Sequence, residues 1–344
     1  MDMSQKTILL FGGNSEERLV SVASAQNLAS QYSFDQLIFQ DFKLRLFEVS
    51  LKELNQHKDV FKNEFVPQSE VLAENLEAGL RVFEKALVFL GYHGSQGENG
   101  EVQKLFEKHR ICFTGSGSQA SQQAFEKNLA KEVMRHTRAK MAQEFQLKVE
   151  NLDTLKPKLT QFLIQHKKIV LKPTSSGSSF GLHIVDSAEK LETALVEIKK
   201  SDFSSYLVES FIKGRELTVG VTQTSAELIS LPASEVLVTE GHSFDYDGKY
   251  LGTGSKEITP AILSKDEMQM AQQLAIQAHL AFGCYGYSRT DMILTDEGPY
   301  FLETNTLPGL SKPSFVPQQL LAADITFKSF IEAQLQLAAQ RYDT

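Results

Sequence analysis

One pattern recurs three times in this chain: a short apolar run followed at once by a glycine-rich loop. KTILLF (residues 6–11) leads into GGNSEER, Ala86–Leu90 into GYHGSQGENG, and Ile111–Thr114 into GSGSQAS. An apolar run with no polar alternation suits a strand buried on both faces, as in a sheet covered by helices. Val20–Tyr32 behind the first loop reads as a helix, so the opening is an α/β unit. In such sheets ligands gather at the carboxyl ends of the strands, where these loops sit.

The later segments read differently. From Ser118 to about Val149 the periodicity is helical and charged, which marks a boundary. Strand Ile169–Leu171, loop KPTSSGSSFG, strand His183–Val185, helix Ala188–Lys199 and strand Tyr206–Glu209 then make a compact α+β unit. From about Lys213 the chain alternates strands such as Leu217–Thr222 with a long helix, Lys265–Phe282, and a hairpin around Asp296. A length of 344 residues exceeds one ordinary core, which rarely grows past ~250–300 residues. Three domains are expected, at 1–117, 118–212 and 213–344.

Charge narrows the partners. Thirty-five Lys and Arg against 43 Asp and Glu give a net charge of −8, and no basic tract stands out, which argues against nucleic acid and anionic membrane. The apolar run in MDMSQKTILLFGG is too short for a secretory leader, and no stretch is long enough to span a bilayer, so a cytoplasmic protein is expected. Cys112 and Cys284 lie in strand-like surroundings and read as reduced thiols; with no Cys/His cluster, zinc is not expected.

KPTSSGSSFG offers small residues whose backbone N–H groups can approach a phosphate, beside a lysine. It is not a Walker A loop, and a flexible Ser/Gly hairpin fits the same residues. The Gly-x-Gly core of FTGSGSQAS invites a dinucleotide reading but lacks the third glycine.

RTDMILTDEGPYFLETN is more specific. Read as a hairpin with a loop at 295–299, it pairs Leu294 with Tyr300 and sets Asp291 opposite Glu303. Alternation then puts Asp291, Glu303 and Asn305 on one face, where two close carboxylates repel unless a cation lies between them. Oxygen-only ligands suit a hard ion such as Mg²⁺. A register slip of one residue would turn Asp291 away. Arg289 shares the face, either to neutralise a bound anion or as a plain salt bridge to Glu303.

In their order and sequence these segments resemble the D-alanine–D-alanine ligases of the ATP-grasp superfamily over nearly the whole chain. The matching stretches are GGNSEERLVSVASA, GYHGSQGENGEVQ, FTGSGSQASQQAFEKNLAK, KPTSSGSSFG, VESFIKGRELTVGV, FDYDGKY, YSRTDMIL and FLETNTLPGLSKPSFVP. The resemblance implies a three-domain ATP-grasp fold, with ATP between the central and C-terminal domains and amino acids where all three meet. It implies that Lys127 and Lys172 bind phosphates and polarise the adenine end. Glu209 and the backbone at Phe211 and Ile212 take the adenine, and Glu216 the ribose. Asp291, Glu303 and Asn305 hold Mg²⁺, with two ions expected and Mn²⁺ as a substitute. Lys249 and the ions neutralise charge on the transferring phosphoryl group. Arg289 and the Gly309 N–H stabilise a tetrahedral oxyanion.

For the amino acids, the resemblance assigns Glu17 to the first substrate's ammonium, with His93 nearby. A helix-terminal carboxylate is the structural alternative for Glu17. Ser178 and Tyr250 complete a bridge from Glu17 across the site, and Ser314 takes the second substrate's carboxylate. The segment from Phe244 to Gly254 is expected to close as a lid. The expected partners are D-alanine and ATP, with a homodimer left open. The chain departs from the family pattern at Leu19, Asn99 and Lys104, in RHTRAKMAQEF, which lacks a Gly-Pro break, and at Phe315, where leucine is common. A larger ring there reshapes the acceptor pocket and keeps a D-serine-type acceptor open. An inactive nucleotide-binding homologue is a further alternative.

Overall fold

The computed structural model describes residues 5–175, 181–238 and 255–342. Its first sheet holds β1 (Thr7–Gly12), β2 (Gln36–Gln40), β3 (Leu46–Val49), β4 (Leu87–Leu90) and β5 (Cys112–Phe113) in the order β3-β2-β1-β4-β5. All of β1 is buried, and it pairs in parallel with both β2 and β4. The apolar runs are continuous because helices cover both faces of these strands. The chain crosses from one side of β1 to the other between β2 and β4, and at such a switch point loops diverge and leave a crevice. The first two glycine loops leave β1 and β4 there. Gly12 has φ of +96°, and a Cβ on it would lie 2.2 Å from Gln40 O, so only glycine fits this exit.

Helix α1 (Arg18–Gln31) follows the first loop, and α2 (Leu51–Gln56) follows β3. Around the second loop lie α3 (Ser95–Glu98) and α4 (Glu101–Lys108). The stretch read as one helical run from Ser118 to Val149 is instead α5 (Ser118–Phe125), α6 (Lys127–Arg135) and a strand, β6 (Glu144–Lys148). β6 is an edge strand with only Leu147 fully buried, so its sequence carries too little apolar alternation to announce itself.

After α7 (Leu152–His166), the second sheet continues with β7 (Ile169–Pro173), β8 (His183–Val185) and, beyond α8 (Ala188–Lys200), β9 (Ser205–Ser210). Its antiparallel order is β6-β9-β7-β8. The third sheet is built on β10 (Arg215–Gln223), with β11 (Leu228–Ser230), β12 (Ser234–Val238), β13 (Ser255–Ile258), β14 (Tyr287–Thr295) and β15 (Gly298–Asn305). The Lys265–Ala281 helix is started by a reciprocal capping box between Ser264 and Glu267. The last helix, Phe327–Gln340, packs on β4 and β5, and its Phe330, Ile331 and Leu335 join the core of the first sheet.

The β14–β15 hairpin corrects the expected register. Thr295 pairs with Gly298 and Leu294 with Pro299, so the loop is two residues, Asp296 and Glu297, and Tyr300 faces Ile293. Leu302 is then an extra residue, and the ladder resumes with Asp291 opposite Glu303. The β-bulge offsets the shorter loop and restores the carboxylate pair. Burial agrees: Phe301 and Thr304 point into the core with two partly exposed residues between them.

Candidate active site

A cavity of ≈ 420 Å³ lies where the three sheets meet. Glu17 and His93 reach it from the loops after β1 and β4. Lys127, Lys172, Glu209, Phe211 and Ile212 line it from the second sheet and α6, and Glu216, Arg289, Asp291, Glu303, Asn305, Gly309, Ser314 and Phe315 from the third sheet and its following loop. Every described residue that the sequence assigned to the site therefore lines one space. Ser178, Lys249 and Tyr250, and the Phe244–Gly254 segment, lie outside the described residues.

At one end Glu209 is buried between two lysines, with Lys172 Nζ 2.5 Å from Oε2 and Lys131 Nζ 2.6 Å from Oε1. Burial alone would raise this carboxyl, but the two ammonium groups outweigh it and hold it at about 2. Glu209 is thus a fixed anion, able only to accept hydrogen bonds. Burial would also lower Lys172, yet Glu209 leaves it above its ordinary value. Lys131, one turn beyond Lys127 on α6, was not singled out from the sequence. Its spacing of four residues from Lys127 was the available signal. The Phe211 N–H donates to Lys168 O at 3.1 Å, so that backbone donor is already used within the chain.

In the middle of the cavity Asp291 accepts from Arg289 Nε and Nη2, both at 2.9 Å, from Asn305 Nδ2 at 3.2 Å, and from the Thr218 hydroxyl. The arginine salt bridge goes to Asp291, not to Glu303 as the alternative reading had it. Glu303 instead lies 3.8 Å from Lys127 Nζ. Among the described residues no cluster of three or more His, Cys, Asp or Glu forms a metal site, so a candidate set must include the carboxamide. Asp291, Glu303 and Asn305 supply side-chain oxygens from paired positions of one hairpin, and a donor set of this chemistry fits a hard divalent cation.

At the other end Glu17 stands at the N-terminus of α1, as the helix-terminal alternative has it, and its side chain makes no capping hydrogen bond and also lines the cavity. Glu98, in the second glycine loop, also lines the cavity. Its carboxyl is pushed up to about 8 by burial and by Glu17, with the Gly94 N–H at 3.0 Å opposing. A Cβ on Gly309 would stand 2.7 Å from Ser314 Oγ, so the chain turns here with no room for a side chain. Ser314 Oγ lies 2.7 Å from Ser311 Oγ, and the Arg289 guanidinium sits 5.7 Å from the centroid of the largely buried Phe315 ring.

Residues 6–116 match the family described as D-ala D-ala ligase N-terminus, and residues 142–336 its C-terminus. A D-alanine–D-alanine ligase of Leptospira interrogans is 37% identical over 84% of this chain and 82% of its own length. The chain belongs to the D-alanine–D-alanine ligase family. A relative from Pediococcus pentosaceus is 32% identical over 98% of this chain and 99% of its own. Among solved structures, the VanG D-Ala:D-Ser ligase from Enterococcus faecalis superposes with a TM-score of 0.82 at 26% identity, covering 98% of this chain and all of that one (100%). The D-alanine–D-alanine ligase from Coxiella burnetii gives a TM-score of 0.80 at 24% identity, covering 98% of this chain and 95% of that one. The expected ATP-grasp architecture is thus the fold of this family member. Among the described residues no helix is long and apolar enough to cross a membrane.

Proposed function

We propose that this chain is an ADP-forming D-alanine–D-alanine ligase of the cytoplasm that supplies the dipeptide for peptidoglycan precursors. The γ-phosphoryl group of ATP would pass to the carboxylate of one D-alanine, and the amine of a second would attack the acyl phosphate and expel phosphate. The observation that carries this reading is the single cavity lined by a fixed anion at one end, an oxygen-only face in the middle and Glu17 with Ser314 at the other end. We further propose the division at 1–117, 118–212 and 213–344, supported by each sheet drawing its strands from one of these segments.

In this reading Glu209 accepts from the adenine amine, Glu216 meets the ribose, and Lys127, Lys172 and Lys249 hold the phosphates. Asp291, Glu303 and Asn305 would hold Mg²⁺, or Mn²⁺, in one or two ions; such a cation supplies charge neutralisation at the phosphates. Arg289 would exchange its contact with Asp291 for the substrate carboxylate and, with the Gly309 N–H, steady the oxyanion. Glu17, with Ser178 and Tyr250, would orient the first D-alanine beside His93, and Ser314 would take the carboxylate of the second.

A D-serine-type acceptor is the second reading, favoured by the aromatic Phe315 wall beside Ser314. The test is an amino-acid panel with ATP and Mg²⁺, scored by phosphate release and dipeptide mass. Phosphate release that requires D-alanine is expected; turnover with L-amino acids and none with D-alanine refutes the proposal. D-Alanine outperforming every other acceptor removes the second reading.

A further inference from the structure

The turn that carries the Gly309 N–H is held by side chains from the opposite end of the sequence. His93 Nδ1 lies 2.9 Å from Leu307 O. A carbonyl can only accept, so Nδ1 carries the proton. Burial, opposed by the neighbouring Glu17, holds His93 below its ordinary value, which leaves the ring neutral and its Nε2 a bare acceptor. Ser24 Oγ lies 2.7 Å from that Nε2 and must donate to it. The Leu310 N–H in turn donates to Ser24 Oγ at 3.2 Å, and Asn27 Nδ2 donates to Leu310 O at 2.8 Å. Ser24 is fully buried and His93 nearly so.

The peptide that carries the Gly309 N–H is therefore bracketed. The peptide before it, Leu307–Pro308, is fixed by His93, and the one after it, Gly309–Leu310, by Ser24. Glycine can rotate through more backbone conformations than any other residue, so the direction of its N–H needs such anchors. We propose that Ser24, acting through His93 and supported by Asn27, is a positioning residue that aims the Gly309 N–H into the site. The role rests on the ligase reading above. It ties α1 of the first sheet to the oxyanion side of the third.

The test compares wild type, Ser24→Ala, Ser24→Thr and Asn27→Ala by steady-state kinetics with D-alanine and ATP. Ser24→Ala is expected to lower kcat about 10- to 100-fold while KM for ATP stays within about 2-fold, because a misaimed donor costs the transition state and not nucleotide binding. Ser24→Thr, which keeps the hydroxyl, recovers part of kcat, and Asn27→Ala loses less than Ser24→Ala. Independently, ¹⁵N spectra of the wild-type imidazole, assigned with His93→Gln, should show the proton on Nδ1. An unchanged kcat in Ser24→Ala, or a proton on Nε2, overturns the positioning role and leaves the ligase reading intact. A wild type with no D-alanine-dependent turnover overturns both. If Ser24→Ala does not fold, Asn27→Ala and the tautomer decide, and wild-type kinetics in Asn27→Ala count against the proposal.

Discussion

Removing the ammonium of Lys131 tests whether the Glu209 end of the cavity is organised by charge. The lysine is 1% exposed and stands 2.6 Å from Glu209 Oε1 and 3.9 Å from Glu144 Oε2. Burial pulls Lys131 below its ordinary value and pushes Glu144 up, so neither charge is comfortable without its partner. In Lys131→Met two buried carboxylates share only Lys172 and the half-exposed Arg135. Breaking a buried pair in this way costs about 3–5 kcal/mol. Denaturant unfolding reads the loss directly, and the KM for ATP should rise as Glu209 loses one of its two anchors. The sign with pH follows from the depressed carboxyl: the stability Glu209 contributes is full above its ordinary value of 4.5 and is lost as pH falls toward about 2. In the variant the onset stays where the unfolded chain sets it, and the loss is smaller and complete at a higher pH. A double-mutant cycle with Glu209→Gln separates the pair from the individual residues. A loss under about 1 kcal/mol, or additivity within about 0.5 kcal/mol, would refute the reasoning.

Glu303→Gln should lower Mg²⁺ affinity and turnover with unchanged far-ultraviolet circular dichroism, since a neutral amide is a poorer ligand; unaltered turnover at limiting Mg²⁺ removes Glu303 from the metal set. Phe315→Leu should shift the ratio of kcat/KM between D-alanine and D-serine acceptors by a factor corresponding to about 1–3 kcal/mol, and an unmoved ratio excludes this wall from acceptor choice. His279 is buried, and burial lowers it from 6.5 to about 4, so stability present above pH 6.5 is lost as pH falls toward 4, by about 3 kcal/mol in full. Equal pH slopes of stability in wild type and His279→Gln over that window would show that another group is responsible.

Much of the site was legible because glycine-rich loops and alternating strands write their constraints locally. The run at β1 and the helix that starts at Lys265 needed no knowledge of the rest of the chain. Asp291 and Glu303 were paired correctly from a hairpin whose loop was read too long, because Leu302 bulges out and resets the ladder. A bulge leaves no mark in an apolar strand, since leucine fits either face. β6 was hidden for the opposite reason: an edge strand with one buried residue has little pattern to show.

The sequence by itself determined the kinds of groups available: oxygen donors on one strand face, glycines where backbone must turn closely, and loops at strand ends. Only the tertiary structure decided which of them hold one another. Lys131 becomes part of the Glu209 end of the cavity because α6 packs its side chain against Glu209 on β9. Arg289 answers Asp291 rather than Glu303, and Ser24 grips Leu310 across a separation of 286 residues. Such contacts depend on how three sheets meet, a long-range packing outcome that local propensity does not encode.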